Sequence, residues 1–225
     1  MLSNEVLFFI VLFSFLSFSM VFYKLGKNFL EGFLVFSYVI SVCITSKFFD
    51  FFGMQASVGA ITYAGIFLAT DVMTEKYGKE FGYQTIRISF AVGIVFTVIT
   101  QLTLLFAPVA MSAEMAEAMQ TVFGATLRLL AAGYFTYIIA QHFDVWFFHR
   151  ISIWTKGRHL WLRNNLSTIT SQIIDSLLFF TLAFYGTMPN DVFVEILLVG
   201  MSLKIFIAIL DTPFIYLSKK IKPLS

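Results

Sequence analysis

Asp71, Arg128, Asp144, Asp175, Lys204 and Asp211 fall inside long apolar stretches of this sequence, with Glu75 one helical turn beyond Asp71. A charge within hydrocarbon costs roughly 2.5–3.5 kcal/mol on insertion scales, so such residues mark ligand sites or pathways unless packing accounts for them. The richest segment runs from Arg163 to Ser176 and carries hydroxyls, an amide and a carboxylate, among them Thr168, Ser171, Gln172 and Asp175, into the apolar stretch 177–185. Thr168, Gln172, Asp175 and Phe179 follow at i, i+4, i+7 and i+11 and share one helical face. A second face reads Tyr134, Tyr137, Gln141, Asp144 and Phe148, again spaced by three or four. Carboxylates accept N–H donors in pairs, amides donate and accept, and aromatic rings cover flat ligands. This is the chemistry of recognition.

Each residue also has a structural alternative. Ser and Thr hold membrane helices together, so the Thr168–Asp175 face also suits helix packing. Asp144 could pair with Arg150, while Lys76 and Lys79 could neutralise Asp71 and Glu75, which at i, i+4 repel one another. Lys204 is the natural counter-ion for a buried carboxylate such as Asp175, with Asp211 seven residues on. His142 points away from the Gln141–Asp144 face, and Arg128 lies near a span end, where its side chain can snorkel.

The elements that must position these groups are membrane helices. Of 225 residues, 59% are hydrophobic and 12% charged, which leaves too little polar surface to coat a soluble globule. The apolar stretches have the 17–25 residue length of bilayer-spanning helices, not the short alternating runs of a barrel. We expect an all-α, polytopic integral membrane protein, a single domain over 1–225, with spans at 5–23, 29–46, 57–72, 85–107, 121–148, 166–186 and 192–217. That makes about seven helices, or six if the charge-interrupted second one does not span. The sixth span puts Asp175 roughly 15 Å deep, near the midplane.

Basic residues fix the orientation. Lys24 and Lys27, then Lys76, Lys79 and Arg87, then Arg150, Lys156, Arg158 and Arg163, and finally Lys219, Lys220 and Lys222 follow the odd-numbered spans. The alternate loops hold Lys47, Glu114, Glu117, Asp191 and Glu195. The N-terminus is expected outside and the C-terminus in the cytoplasm. The first apolar run lacks a basic n-region and a small-residue cleavage site, so it reads as a retained helix.

Other chemistries find no support. Cys43 is the lone cysteine, and His142, His149 and His159 show no ligand spacing, so neither a disulfide nor a metal site is expected. No cofactor motif is present. Trp146, Trp154 and Trp161 suit an interfacial aromatic belt. The net charge of +2 follows from loop topology and gives no reason to expect nucleic-acid binding. No G-x-G-D, H-E-x-x-H or G-x-S-x-G motif supports an intramembrane enzyme, and no P-loop supports ATP hydrolysis within the chain.

Thr70-Asp71 with Glu75, Tyr77 and Gly78, then Gln141 and Asp144, then Arg163, Ser167, Thr168, Gln172 and Asp175-Ser176, and finally Lys204, Thr212-Pro213 and Tyr216 form an ordered set. This set resembles the queuosine precursor transporters of the vitamin uptake transporter family. The resemblance runs from the third span to the C-terminus; residues 1–55 carry none of its motifs. It implies import of 7-deazaguanine bases, in the cyano and aminomethyl forms and in some organisms queuine, across a bacterial cytoplasmic membrane. The partners are then a deazapurine and membrane lipid. The residues that carry the resemblance and the helix faces read above together give the expected substrate-binding set: Asp71, Tyr137, Gln141, Asp144, Thr168, Ser171, Gln172, Asp175, Phe179 and Lys204. A guanine-like edge offers two adjacent N–H donors for a carboxylate, and its carbonyl needs a donor such as Gln, Lys or Arg. Asp175 with Gln172, or Asp144 with Gln141, supplies such a pair.

The leading reading is secondary or facilitated uptake. Proton coupling through Asp71, Asp144 or Asp175, sodium coupling, and equilibration with metabolic trapping all stay open. The alternatives are a substrate-binding membrane subunit of an energy-coupling-factor-like vitamin transporter and, less favoured, an intramembrane enzyme.

Overall fold

The computed structural model describes residues 2–45, 47–125 and 127–224. Ser46, the expected end of the second span, and Thr126, inside the expected fifth, lie outside the described residues. The chain runs α1 (Asn4–Leu25), α2 (Lys27–Ile44), an antiparallel hairpin of β1 (Phe48–Phe51) and β2 (Met54–Ser57), α3 (Gly59–Tyr77) and α4 (Lys79–Thr103). A short 3-10 turn (Ala110–Ser112) and α5 (Ala113–Phe123) lead to α6 (Leu127–Trp154), α7 (Leu160–Phe184), α8 (Asn190–Leu210) and α9 (Thr212–Lys220).

Among the described residues seven helices have 18 residues or more. Five spans are both long and apolar enough to cross a bilayer, the last being Asn190–Lys220 with α8 and α9 together. The number rises to six if Ala110–Phe123 and Leu127–Trp154, bent by 46°, are taken as one. α6 qualifies only with α5, and α3 falls short in either count. It carries Asp71, Glu75 and Lys76, and every residue from Ala64 to Thr74 is buried. α3 packs against α1, α2, α4, α6, α8 and α9, so protein encloses its polar groups, whereas Leu7, Val95, Ile99 and Leu182 on the outer helices remain exposed, as lipid-facing residues do.

Several boundaries differ from the sequence expectation for one physical reason: hydropathy marks the hydrocarbon slab, while helical hydrogen bonding continues into the polar interface. α4 begins at Lys79 and α7 at Leu160, each six residues before its expected start. Asp175 therefore lies past the midpoint of α7. The expected fifth span merges two helices, since Thr121 belongs to α5 and α6 begins only at Leu127. The loop after α2 is the β1–β2 hairpin, which is tied to the start of α1 by Asn4 Nδ2 donating to the Asp50 carbonyl (3.0 Å).

Two turns between helices consist of one glycine each. Gly26 (φ 134°) ends α1 by donating to the Phe22 and Tyr23 carbonyls and begins α2; Gly78 (φ 88°) ends α3 on the Thr74 carbonyl and begins α4. L-residues adopt such backbone angles at a cost, so glycine is the residue that permits these reversals.

A buried polar column as the candidate functional site

α7 supplies the spine of the site. Arg163, Asn164, Ser167, Thr168, Ser171, Gln172, Asp175 and Ser176 are all buried, while Leu166, Leu177 and Leu182 on the same helix are exposed. The helical period thus turns the polar stripe toward α3, α6 and α8 and gives the apolar stripe to lipid.

At the upper level, Tyr63 of α3 donates its hydroxyl to Asp175 Oδ1 (2.7 Å), and Lys204 Nζ of α8 pairs with Asp175 Oδ2. The Lys204 ammonium also lies 5.1 Å from the Tyr63 ring centroid, within cation–π range. Tyr38 and Tyr137 meet at 4.2 Å between centroids, Tyr63 and Tyr137 at 6.5 Å, and the Tyr137 hydroxyl bonds Ser89 Oγ at 2.6 Å. A charged pair therefore sits beside a tyrosine cluster.

One level down, Thr168 Oγ1 donates to Asp71 Oδ2 (3.1 Å) and Ser171 Oγ donates to Asp144 Oδ1 (2.9 Å). Asp71, Asp144 and Asp211 are close enough to interact electrostatically. At the lowest level, Asn164 Nδ2 donates to Asp211 Oδ1 (2.9 Å), and Arg163, 2% exposed, pairs with Glu75, which Lys219 of α9 approaches to 3.6 Å. The three bonds Tyr63–Asp175, Thr168–Asp71 and Arg163–Glu75 join α3 to α7 at three depths.

The column is under-satisfied. Asp71 Oδ1, Asp144 Oδ2, Asp211 Oδ2, Asn164 Oδ1, Gln172 Oε1 and both polar atoms of Gln141 are buried without a protein hydrogen-bond partner. Each such group costs about 1–3 kcal/mol, which a purely structural cluster would not accumulate. These atoms can serve a polar ligand or water. A space of about 10 Å³ lined by Thr168, Gln172, Lys204 and Asp211 lies between the upper and lower levels. That is room for one water, whereas ligand pockets run to about 300 Å³ or more. The column as it stands is too tight to hold anything larger than water.

Of the residues singled out from sequence, Asp71, Gln141, Asp144, Thr168, Ser171, Gln172, Asp175 and Lys204 lie within the buried column, and Tyr137 joins the tyrosine cluster beside it. Phe179 does not. It packs edge-on against Phe180 and Phe184 and lies beside Gly133 of α6, one turn beyond Asp175. Asp144 pairs with Ser171 and not with Arg150, whose guanidinium lies over Trp154. Glu75 takes Arg163 and Lys219 rather than Lys76, which sits over Tyr23, or Lys79, which meets Glu80. His142 turns its Nδ1 to the Ile138 carbonyl and stacks on Tyr83, off the column as expected. Arg128 caps the end of α7 through the Leu182 and Tyr185 carbonyls, both at 2.7 Å.

The substrate-binding set expected from sequence left out Tyr63, Asn164 and Asp211, the last noted only among the intramembrane charges. Asn164 was legible, one turn before Thr168 on the same face. Tyr63 lies two turns before Asp71 in an apolar run without a polar neighbour on its face to signal it.

Residues 57–218 match the model of a family described as vitamin uptake transporter, and the match contains all four walls of the column. The chain belongs to this family. It is 33% identical over 207 residues, 91% of the chain and 90% of the relative, to the "Probable queuosine precursor transporter" of Bacillus subtilis (strain 168). To the "Queuosine precursor transporter" of Escherichia coli (strain K12) it is 31% identical over 162 residues, 70% of the chain and 69% of the relative. No solved structure matches it significantly. The protein is therefore a transporter and not an enzyme, a multi-pass protein of the bacterial cytoplasmic membrane.

Proposed function

We propose that this vitamin uptake transporter imports queuosine precursors, the cyano- and aminomethyl-bearing 7-deazaguanine bases, by secondary or facilitated transport. The names of its relatives support the substrate class. The observation that carries the reading to specific residues is the pair of buried amides with unpartnered polar atoms, Gln172, which lines one small space with Lys204, and Gln141, one turn along α6 from Tyr137. A 7-deazaguanine presents adjacent N–H donors for the Asp175 carboxylate, a carbonyl for an amide or ammonium donor, and two flat faces for Tyr63 and Tyr137. Thr168 and Ser171 hold Asp71 and Asp144 in place directly below.

The test is uptake of labelled 7-cyano-7-deazaguanine into proteoliposomes containing only this chain, together with equilibrium binding to the detergent-purified protein. Gln141→Ala and Gln172→Ala are each expected to weaken binding about 10- to 100-fold, the cost of about 1–3 kcal/mol for a lost buried hydrogen bond. Unchanged binding by both variants overturns the placement of the base. Binding without uptake assigns the chain instead to a substrate-binding subunit that requires energising partners.

Import also requires an orientation. We place the N-terminus outside, because the end of α1 meets the C-terminal segment as charge bias demands: Leu224 N donates to the Lys24 carbonyl, so the C-terminal lysines and the Lys24–Lys27 turn share one face, and the start of α1 lies at the other. Membrane-impermeant thiol reagents added to intact cells are expected to label Ser112→Cys and spare Ser152→Cys. The opposite pattern inverts the molecule.

A further inference from the structure

The β1–β2 hairpin breaks a local rule. Its two-residue loop, Phe52-Gly53, has φ of 53° and 79°, the pair of positive angles that marks a type I′ turn. Asn or Gly fits the first position of such a turn, and a bulky side chain there strains the backbone. Strained residues concentrate at clamps and switches. The Phe52 ring is 67% exposed and lies 4.8 Å from that of Phe51. With Phe51 and Met54 it faces Val199, Leu203 and Phe206 of α8 across an apolar space of about 330 Å³, the size of a small-ligand pocket.

The hairpin is fastened on one side only. Towards α1, Asn4 Nδ2 donates to the Asp50 carbonyl, Phe52 N donates to Glu5 Oε1 (3.4 Å), and the Phe51 ring packs on those of Phe8 (4.5 Å) and Phe9 (6.3 Å). At its base, Ser57 Oγ donates to the Thr45 carbonyl (2.6 Å) and ties it to the end of α2. Towards α8, the described residues of the hairpin make no hydrogen bond, ion pair or ring contact. A two-stranded hairpin has little stability of its own, so it moves with α1 and α2. The space beneath its tip leaves the two walls only partly in contact, so little attraction is lost when they part.

The loose side leads to the column. Leu203 lines the space under the hairpin, and the next residue, Lys204, lines the small space inside the column. On the opposite wall Ala56 lines the first and Ala60 the second. α3 begins at Gly59, about 6 Å above Tyr63, whereas α8 begins at Asn190, about 21 Å above Lys204. The hairpin therefore stands in for α3 along the outer part of α8.

On the transport reading above, we infer that the hairpin is the outer gate of the transporter, and that the base enters between its tip and α8. The hairpin stays on α1 while α8, held to α7 through Lys204 and Asp175, parts from it. Phe52 stands at the mouth of this passage, and the rings of Phe51, Phe52 and Phe206 offer flat faces to a flat base in transit.

The experiment uses the full chain carrying Cys43→Ala, in proteoliposomes, and measures counterflow of labelled 7-cyano-7-deazaguanine. Met54→Cys with Ser202→Cys puts one thiol on each wall of the space. Bridging them with a bifunctional thiosulfonate is expected to slow counterflow about tenfold or more relative to the single variants treated alike, and reduction of the bridge to restore it. The same reagent on Asn4→Cys with Asp50→Cys ties the hairpin to α1 and is expected to leave counterflow at its unbridged rate. Undiminished counterflow across the first bridge overturns the inference, as does a second bridge that blocks as strongly as the first. Phe52→Asn relieves the turn and clears the mouth, so it serves where a cysteine pair fails to fold. An impermeant thiol reagent outside intact cells is expected to label Ala64→Cys, 5% exposed and inside the column, several-fold faster with Phe52→Asn than without. Equal labelling overturns the gate. Absence of counterflow in the Cys43→Ala protein before any bridging is a different failure, that of the transport reading itself.

Discussion

Asp175→Asn is expected to reduce base binding by the purified protein at least 100-fold, and Lys204→Met to lower both binding and thermal stability, while the double variant regains stability without regaining binding. The carboxylate is the one acceptor in the upper level that can meet two adjacent N–H donors, and hydrogen bonds to charged groups contribute about 1.5–3 kcal/mol each. Removing Lys204 alone strands Asp175 with only the Tyr63 hydroxyl; breaking one side of a buried pair costs about 3–5 kcal/mol, whereas removing both charges together is often nearly neutral. A double-mutant comparison that scores unfolding temperature and binding separately measures this directly. Strictly additive stability losses mean that the two residues do not interact. Full-strength binding by Asp175→Asn removes the carboxylate from the site.

Arg163→Met is expected to be the most damaging single change for stability. The guanidinium is 2% exposed, lies 5.4 Å from the Phe148 ring centroid and pairs with Glu75. Its loss leaves Glu75 with Lys219 alone, whose side chain is 42% exposed and whose attraction is correspondingly screened. A penalty of about 3–5 kcal/mol follows for the single variant, and Glu75→Gln combined with Arg163→Met should recover most of it. The readout is the thermal unfolding midpoint in detergent. A single variant that unfolds within a degree or two of wild type reduces the pair to a surface bridge.

The face of α7 was legible because a helix that mixes lipid-facing leucines with buried polar groups prints its period in the sequence: Thr168, Gln172 and Asp175 recur every three or four residues, and so do Tyr137, Gln141 and Asp144 on α6. The Lys204–Asp175 pairing was legible from charge alone, since neither residue can be left single in hydrocarbon. Asp211 was less so. It sits where α8 gives way to α9, and its meaning depends on Asn164, 47 residues away in sequence. The short hairpin at 48–57 was hidden by phenylalanines that read as helix or loop equally well. The α5–α6 bend was hidden because hydropathy does not change across Gly124 even though the backbone does.

The single-residue turns at Gly26 and Gly78 have a mechanical meaning. A helix pair joined through one residue has no slack, so α1 cannot slide along α2, nor α3 along α4, without breaking the turn itself. Changes of access are then carried where neighbouring helices are held by side chains alone. α3 meets α7 through such a seam, closed by Tyr63–Asp175 above, Asp71–Thr168 in the middle and Glu75–Arg163 below. Rupture of the upper fastening while the lower one holds would expose the column to one side of the bilayer, and the reverse would expose it to the other. The seam thus has a separate fastening at either end.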